Sequence, residues 1–450
     1  MFRDTFNCIY YVKSLIRVSK DETDDNLEKA KQAADKCGAI GIKLLQFLVS
    51  NNGFLTPESR AKLSYVFEDN KVHDLGDTIE MYYQDFGEHM YDVFTATGDC
   101  VPVGSGTIGQ VYKFYHNKLG VNVAVKVKHP GVDSEAMRFV KSLSTILYFV
   151  ETVYTIPFAY LLKEYLANIS LQLDYAREAR ATIKMRHDFE SESHIIIPEI
   201  YEYSDRFIIM SYHEGEQFES VKDERLRKLI SIDIYLFMMS CIMHSDLIHC
   251  DLHKGNWKVA TQEDGTYKLV IYDFGLTSSL GPSMTKAVTL AMLSDNFFSI
   301  ARVMVESWET QPKWQELATY IDSLEEKVLQ VFTDKYEMIL RKALQIGIPL
   351  NINVLRIMQG GNMCMNVVNL TRNNLNKVLG KRGNCEQVLL CYNLGLTEKT
   401  KKYNNLRKTI LQWIEEDPSI NTIYENWLED TYGHKDGSIF VELTVDGLVF

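Results

Sequence analysis

Between residues 249 and 275 the chain carries acids and an amide at a spacing suited to handling the phosphates of a nucleotide. His249-Cys-Asp251-Leu-His-Lys-Gly-Asn256 sets a carboxylate shortly before an amide, and Asp273-Phe-Gly275 follows an apolar run, Lys268-Leu-Val-Ile-Tyr272. In phosphoryl transfer a carboxylate in the first position takes a hydroxyl proton or orients the nucleophile. The amide and the later carboxylate hold the Mg²⁺ that bridges the phosphates of ATP. The apolar run reads as the strand that delivers Asp273 to the metal. Each short motif occurs by chance; their order and spacing carry the reading.

A second set lies upstream. Gly104-Ser105-Gly106-Thr107-Ile-Gly109-Gln-Val111 gives GxGxxGxV, and Val123-Ala-Val-Lys126 follows at strand-to-strand distance. Three glycines alone make an ordinary loop. Ahead of a lysine-bearing strand they are expected to let the backbone close on a triphosphate, using the freedom of glycine at φ > 0. Lys126 then supplies a fixed charge to the α- and β-phosphates. Ser211-Tyr212-His-Glu-Gly215 reads as a hinge beside the adenine, with Met210 lining the back of the pocket. The architecture implied is a two-lobed, protein-kinase-like α+β fold using ATP and Mg²⁺. Lys126 needs an acidic partner, and Glu135, Glu151 and Glu178 all lie in plausible helices; periodicity does not choose among them.

The chain resembles the UbiB/ADCK family, the aarF-domain-containing atypical kinases linked to coenzyme Q and other isoprenoid-lipid metabolism. The likeness rests on Val123-Ala-Val-Lys-Val-Lys-His-Pro-Gly-Val132, on Gln172-Leu-Asp174-Tyr-Ala-Arg-Glu178-Ala, on His249 to Asn256, and on Gly41-Ile-Lys43-Leu-Leu-Gln46 with Leu55-Thr-Pro-Glu58. It covers roughly residues 35 to 280 by motif. It implies that Glu178 pairs with Lys126, that Asp251 is catalytic, that Asn256 and Asp273 hold metal, and that a helical extension covers the acceptor site. The sequence also departs from the family. Glycines stand where its nucleotide loop has alanines, Leu45 replaces the glycine of KxGQ, Gln172 the first Glu of ExD, and Leu252 and Lys254 the prolines of HxDPHPGN. The cover over the acceptor site is therefore expected to be altered.

Composition bounds the rest. The 450 residues, 46% hydrophobic, suffice for a large two-lobed core, and a formal charge of −12 argues against nucleic-acid binding. Eight scattered cysteines (8, 37, 100, 241, 250, 364, 385 and 391) fit reduced thiols in a cytosol-like compartment, and a place peripheral to a membrane stays open. Leu143 to Leu162, interrupted by Glu151 and Pro157, reads as core helix and not as a membrane span. Asp4 and the acidic run 21–25 argue against a transit peptide at Met1 to Lys20. A basic region from Arg372 to Lys408 could face anionic lipid, although a solvated helix face is the simpler reading. His129 and His253 lack ligand-spaced partners and read as hydrogen-bonded structural residues.

The elements that must position these groups follow. Residues 1–95 form a helical extension, with a periodic run from Leu27 to Val49. Residues 96–215 form the small lobe, whose last strands are expected at Ile195–Pro198 and Arg206–Met210. Residues 216–450 form a helical large lobe with a buried helix from Leu229 to His244 and strand-like alternation after Ser438. Two other classes fit some of these features: a small-molecule phosphotransferase of the aminoglycoside/choline type, and a nucleotide-binding scaffold without turnover. The sequence does not name the acceptor, be it lipid, small molecule, protein or water.

Overall fold

The computed structural model describes residues 2–50, 55–63, 72–151 and 159–357, apart from 191, 193, 246, 264, 295–296, 306–312, 325–331 and 352. Beyond these it describes 360, 415–418, 421–422, 444–445 and 448–449. The chain divides into two compact units. One comprises Met1–His187, Ile197–Glu214 and Tyr272–Leu276; the other Asp188–Ile196, Gly215–Ile271 and Thr277–Phe450.

The first unit opens with α1 (Phe2–Lys20), α2 (Asp24–Lys36), α3 (Gly38–Ser50) and α4 (Pro57–Leu63). The periodic run from Leu27 to Val49 is thus two helices. Gly38 at φ +76° breaks it, a conformation that glycine adopts without steric cost. Thr23 caps α2 by accepting from Asn26 N–H. After α5 (Leu75–Phe86) and α6 (Met90–Val93) come β1 (Phe94–Ala96), β2 (Gly104–Ser105), β3 (Gly109–His116) and β4 (Val121–Lys128). Then come α7 (Val132–Glu151), α8 (Ala159–Gln172) and α9 (Tyr175–Asp188). Apolar stripes of α1, α2 and α3 share one core with α7 and α8, among them Leu15, Ala33, Leu44, Leu48, Phe139 and Leu162. Tyr165 O–H donates to Ile40 O at 2.6 Å and Tyr11 O–H to Gly41 O at 3.0 Å, so both buried phenols are satisfied. Leu45 is fully buried in this core. Where the family has a glycine, this chain fills the space with a side chain.

β5 (Ile195–Ile196) belongs to the second unit; β6 (Ile200–Tyr203) and β7 (Phe207–Ser211) return to the first. The sheet of the first unit runs β1-β3-β4-β7-β6, with β2 added on β3. Every pairing in it is antiparallel. The strand before β7 is therefore Ile200–Tyr203, and Ile195–Ile196 pairs in parallel with a strand of the other unit. Pro198 has no N–H to offer a ladder and separates the two segments. The β-branched run of β4 fits a strand covered on both faces. Val123, Val125 and Val127 point into an aromatic core with Tyr82, Phe94, Phe114 and Phe207. The alternate positions, Ala124, Lys126 and Lys128, turn to the opposite face.

The second unit contains α10 (Glu224–His244), β8 (Ile248–His249), β9 (Trp257–Thr261), β10 (Tyr267–Ile271) and β11 (Thr277–Ser278). There follow α11 (Gly281–Ser294), α12 (Phe297–Met304), α13 (Trp314–Asp322) and α14 (Phe332–Ile346), and finally β12 (Thr444–Val445) and β13 (Leu448–Val449). β5, β10 and β9 make one sheet, β8 pairs with β11, and β12 with β13. Among the described residues no helix is long and apolar enough to cross a membrane. The described cysteines 8, 37, 100, 241 and 250 are free thiols. The basic region at 372–408 and the cysteines at 364, 385 and 391 lie outside the described residues.

Restoring the family glycine should expose what Leu45 does. Leu45→Gly empties a core position and adds a helix-interior glycine, so it is expected to lower the unfolding free energy by about 3 kcal/mol or more. Denaturant unfolding checks this; an unchanged midpoint would mean that the core does not depend on that side chain.

Candidate active site

The strand-bearing unit holds Lys126, Glu178 and Asp273 together. Lys126 Nζ lies 2.6 Å from Glu178 Oε1 and 3.2 Å from Asp273 Oδ2. Glu178 is 3% exposed and Asp273 39%, so one carboxylate is committed to the interior while the other reaches solvent. Burial pulls the Lys126 pKa down, but the carboxylates of Asp273 and Glu178 outweigh it and hold the ammonium above the usual lysine value. Burial pushes Glu178 up to about 7, against the pull of Lys126. Of the three acids that spacing left open, Glu178 is the one at Lys126. A Glu135 oxygen lies beside Gly38 in the helical core, and the side chain of Glu151 lies outside the described set.

Local structure explains the placement of each group. Asp174, the remaining acid of the family's ExD element, is the N-cap of α9 and accepts from Arg177 N–H at 2.8 Å. That bond starts the helix so that Glu178 falls in its first turn. Arg177 Nη1 donates to Gly275 O at 3.0 Å, fastening the segment after Asp273 to the same helix. Asp273 itself sits at φ +63°, a region sparsely used by residues other than glycine and often retained at functional sites. Neither Arg177 nor Tyr175 stood out in the sequence, although both lie inside the element that carries Glu178. The Tyr175 ring lies 5.2 Å from both the Lys126 and Lys128 ammoniums, and its buried hydroxyl has no hydrogen-bond partner among the described residues.

The glycine segment is a hairpin between β2 and β3, closed by Gly106 N–H donating to Gly109 O at 2.9 Å. Gly104, Gly106 and Gly109 all have negative or extended φ, so the left-handed freedom expected of them is not used here. Only Gly109 is sterically required: an added Cβ would collide with Val127 O and the Tyr175 hydroxyl, whereas Gly104 has open space. Ser105 and Thr107 lie half-buried in the hairpin. Val111, Ile108 and Tyr212 pack around Ala124, Met210, Tyr175 and Ala179, forming an apolar patch on the Lys126 face of the sheet. Tyr212 N–H donates to Asn122 O at 3.2 Å, and its ring lies 4.5 Å from Lys113 Nζ.

The other unit holds the Asp251 loop. β8 pairs with β11 in the register His249 to Thr277. His249 is fully buried and its Nδ1 accepts from Asp251 N–H at 3.2 Å. Asn256 Nδ2 donates to Asp251 O at 2.8 Å, and Asn256 N–H to His253 O at 2.9 Å, closing the loop on itself. Leu252, in place of a proline, is buried in the core, while Lys254 is exposed. Cys250 is buried and its thiol donates to Ile248 O, an arrangement of a packing residue.

The sequence matches the family model of the ABC1 atypical kinase-like domain over residues 70–302, more than half of the chain, and the chain belongs to that family. It is 29% identical over 273 residues to the AarF domain-containing protein kinase 1 of Xenopus laevis, covering 57% of this chain and 51% of that one. It is 28% identical over 297 residues to a probable serine/threonine-protein kinase, abkB, of Dictyostelium discoideum, covering 61% and 44%. Over 340 residues it is 24% identical to the probable protein kinase UbiB of Photobacterium profundum, covering 70% and 59%. The chain spans about half the length of the first two of these relatives. Membership of the UbiB/ADCK group and a kinase-like α+β fold are thereby established.

The glycines can be told apart by stability. Gly109→Ala is expected to cost about 1–3 kcal/mol through overpacking, while Gly104→Ala leaves the melting temperature within a degree or so of wild type. Calorimetric melting of the two variants checks the distinction; equal melting temperatures would contradict it.

Proposed function

We propose that this protein binds Mg·ATP through the glycine hairpin, Lys126 and Asp273, and transfers or hydrolyses the γ-phosphate with Asp251 as the catalytic carboxylate. The observation that carries the reading is the contact of one buried ammonium with both Glu178 and Asp273. Such an ammonium is held at a fixed point yet faces a partly exposed carboxylate, and phosphate oxygens can replace that carboxylate as its partner. The apolar patch of Val111, Ala124, Met210 and Tyr212 suits the flat face of adenine.

The donor set fits Mg²⁺. Asp273 offers a carboxylate that already faces a cation, and Mg²⁺ is commonly held by one or two carboxylates together with phosphates; family likeness adds the Asn256 amide oxygen. When bound, the ion neutralises charge that builds on the phosphates. Glu178 keeps Lys126 in place, and Arg177 fixes the backbone after Asp273. Asp251 orients the acceptor hydroxyl and takes its proton. The bond from Asn256 to Asp251 O holds the loop in the shape that presents both side chains. The acceptor is a lipid, a small molecule, a protein or water. A link to isoprenoid-lipid or coenzyme Q metabolism rests on family likeness alone.

Two substitutions test the assignment. Asp273→Asn is expected to weaken Mg·ATP binding about tenfold or more in calorimetry. Asp251→Asn is expected to leave binding nearly unchanged while lowering γ-phosphate release or transfer by about 10²–10⁴-fold. Equal Mg·ATP affinity in Asp273→Asn and wild type would remove the metal assignment.

A further inference from the structure

The His-Pro-Gly-Val segment after the Lys126 strand has no part in the chemistry above, yet its histidine touches the nucleotide hairpin. His129 Nε2 lies 2.8 Å from Gly106 O, and His129 N–H donates to Ile108 O at 2.8 Å. His129 Nδ1 is in turn 2.8 Å from Nδ1 of His73, which precedes α5, and His73 Nε2 is 2.8 Å from the hydroxyl of Thr78 on that helix. His73 is anchored separately: its N–H donates to Gln110 Oε1 at 3.0 Å and its carbonyl accepts from Gln110 Nε2 at 3.1 Å. All of these residues belong to the first unit.

The partners fix the protons. A carbonyl only accepts, so Nε2 of His129 carries hydrogen. In a neutral ring its Nδ1 is then an acceptor, and the hydrogen between the rings belongs to His73 Nδ1. His73 Nε2 is left as the acceptor of the Thr78 hydroxyl. The chain of bonds therefore runs in one direction, from Thr78 through both rings to Gly106. An added proton has one place that keeps both ring contacts, His73 Nε2, and there the Thr78 hydroxyl, fully buried, must turn from donor to acceptor. A second proton would set two N–H groups against each other. Ring nitrogens 2.8 Å apart share a hydrogen and leave no room for a metal ion between them.

The grip also orients the hairpin. In a trans peptide the C=O and the following N–H point to opposite sides. With Gly106 O and Ile108 O both turned to His129, the N–H groups of Thr107 and Gly109 are turned away from it. Two amides aimed to one side form the kind of concavity that binds phosphate oxygens.

We propose that His73 and His129 are positioning residues for the nucleotide hairpin. A neutral imidazole pair of fixed tautomer, half from the segment before α5 and half from the end of the Lys126 strand, holds the Gly106 carbonyl; a first added proton turns the Thr78 hydroxyl, and a second, which sets the two rings apart, loosens the hairpin and weakens Mg·ATP binding. The proposal rests on the Mg·ATP reading of the site. The surroundings favour the neutral pair. Burial lowers the His73 pKa and His129 lowers it further, while Asp74 and Asp77 at the start of α5 pull the other way. Lys128, next to His129, is engaged by Asp133 at 2.9 Å, and Tyr112 contributes a phenol that accepts from Gln110 Nε2. A histidine held below its unfolded value is tolerated without cost above the ordinary histidine range and is penalised as pH falls below it. The grip is therefore lost toward acid.

The test is Mg·ATP affinity by calorimetry from pH 5.5 to 8.0 on the full chain, for wild type, His73→Ala and His73→Gln. Wild-type affinity is expected to fall several-fold toward the acid end of that range, on the acid side of the ordinary histidine value. His73→Ala should bind several-fold more weakly at pH 7.5. His73→Gln, whose amide can donate to His129 Nδ1 but does not titrate, should recover neutral-pH affinity with a flatter acid limb; slope that remains belongs to other groups such as Glu178. The proposal is overturned if His73→Ala matches wild type at every pH, or if His73→Gln keeps the wild-type slope. Nitrogen NMR of histidine-labelled protein decides the proton placement independently of nucleotide. Hydrogen on His73 Nδ1 and His129 Nε2 at pH 7.5 is expected, and the opposite tautomers would overturn the relay. A wild type that binds no Mg·ATP at any pH defeats the reading of the site, and the tautomers still decide the relay.

Discussion

A lysine ammonium placed on the interior face of a sheet must find a carboxylate, because a buried charge left unpaired costs about 3–5 kcal/mol. Lys126 is in that position, and much of the first unit can be understood as the means of meeting the demand. The valine alternation of β4 puts three side chains in an aromatic core and leaves Lys126 on the other face. The Asp174 cap begins α9 one turn before Glu178 and so brings the carboxylate to the ammonium. Arg177 and the left-handed Asp273 bring a second, more exposed carboxylate to the same cation. The arrangement holds the charge between one buried and one more exposed carboxylate.

Helices α1, α2 and α3 are fastened to α7 and α8 by ordinary apolar packing. The three share one core, in which Leu45 is buried. The segment before α5 makes a polar connection in addition, through His73 to His129 and on to the hairpin. The segment that leads into α5 is thus hydrogen-bonded, through His129, to the loop assigned to phosphates.

Much of the site was legible because its chemistry tolerates few residue types at few spacings. Motif spacing nominates Lys126, Asp251, Asn256 and Asp273, and the structure brings Lys126 and Asp273 together with Glu178, which only family likeness singled out among three acids. Other features left no such trace. Gly38 interrupts a continuous apolar period, and a single glycine does not announce whether it will be left-handed. Ile195–Ile196 is a short apolar run with no alternation, so nothing in it says which sheet it joins. The three glycines of the hairpin suggested left-handed backbone, yet the strand pairing of Gly104 and Gly109 keeps the segment extended, and only the approach of Val127 and Tyr175 demands a missing side chain. His73 could not have been matched to His129, because the pair is 56 residues apart in sequence and meets only through the fold.

The most direct measurement of the role given to Lys126 is labelling with an acyl-phosphate derivative of ATP, which acylates lysines lying against bound phosphates, followed by peptide mass spectrometry. If the buried ammonium exchanges Asp273 for nucleotide phosphate, Lys126 takes the label and excess Mg·ATP suppresses it. Label confined to other lysines, or label on Lys126 that Mg·ATP does not suppress, would contradict that role.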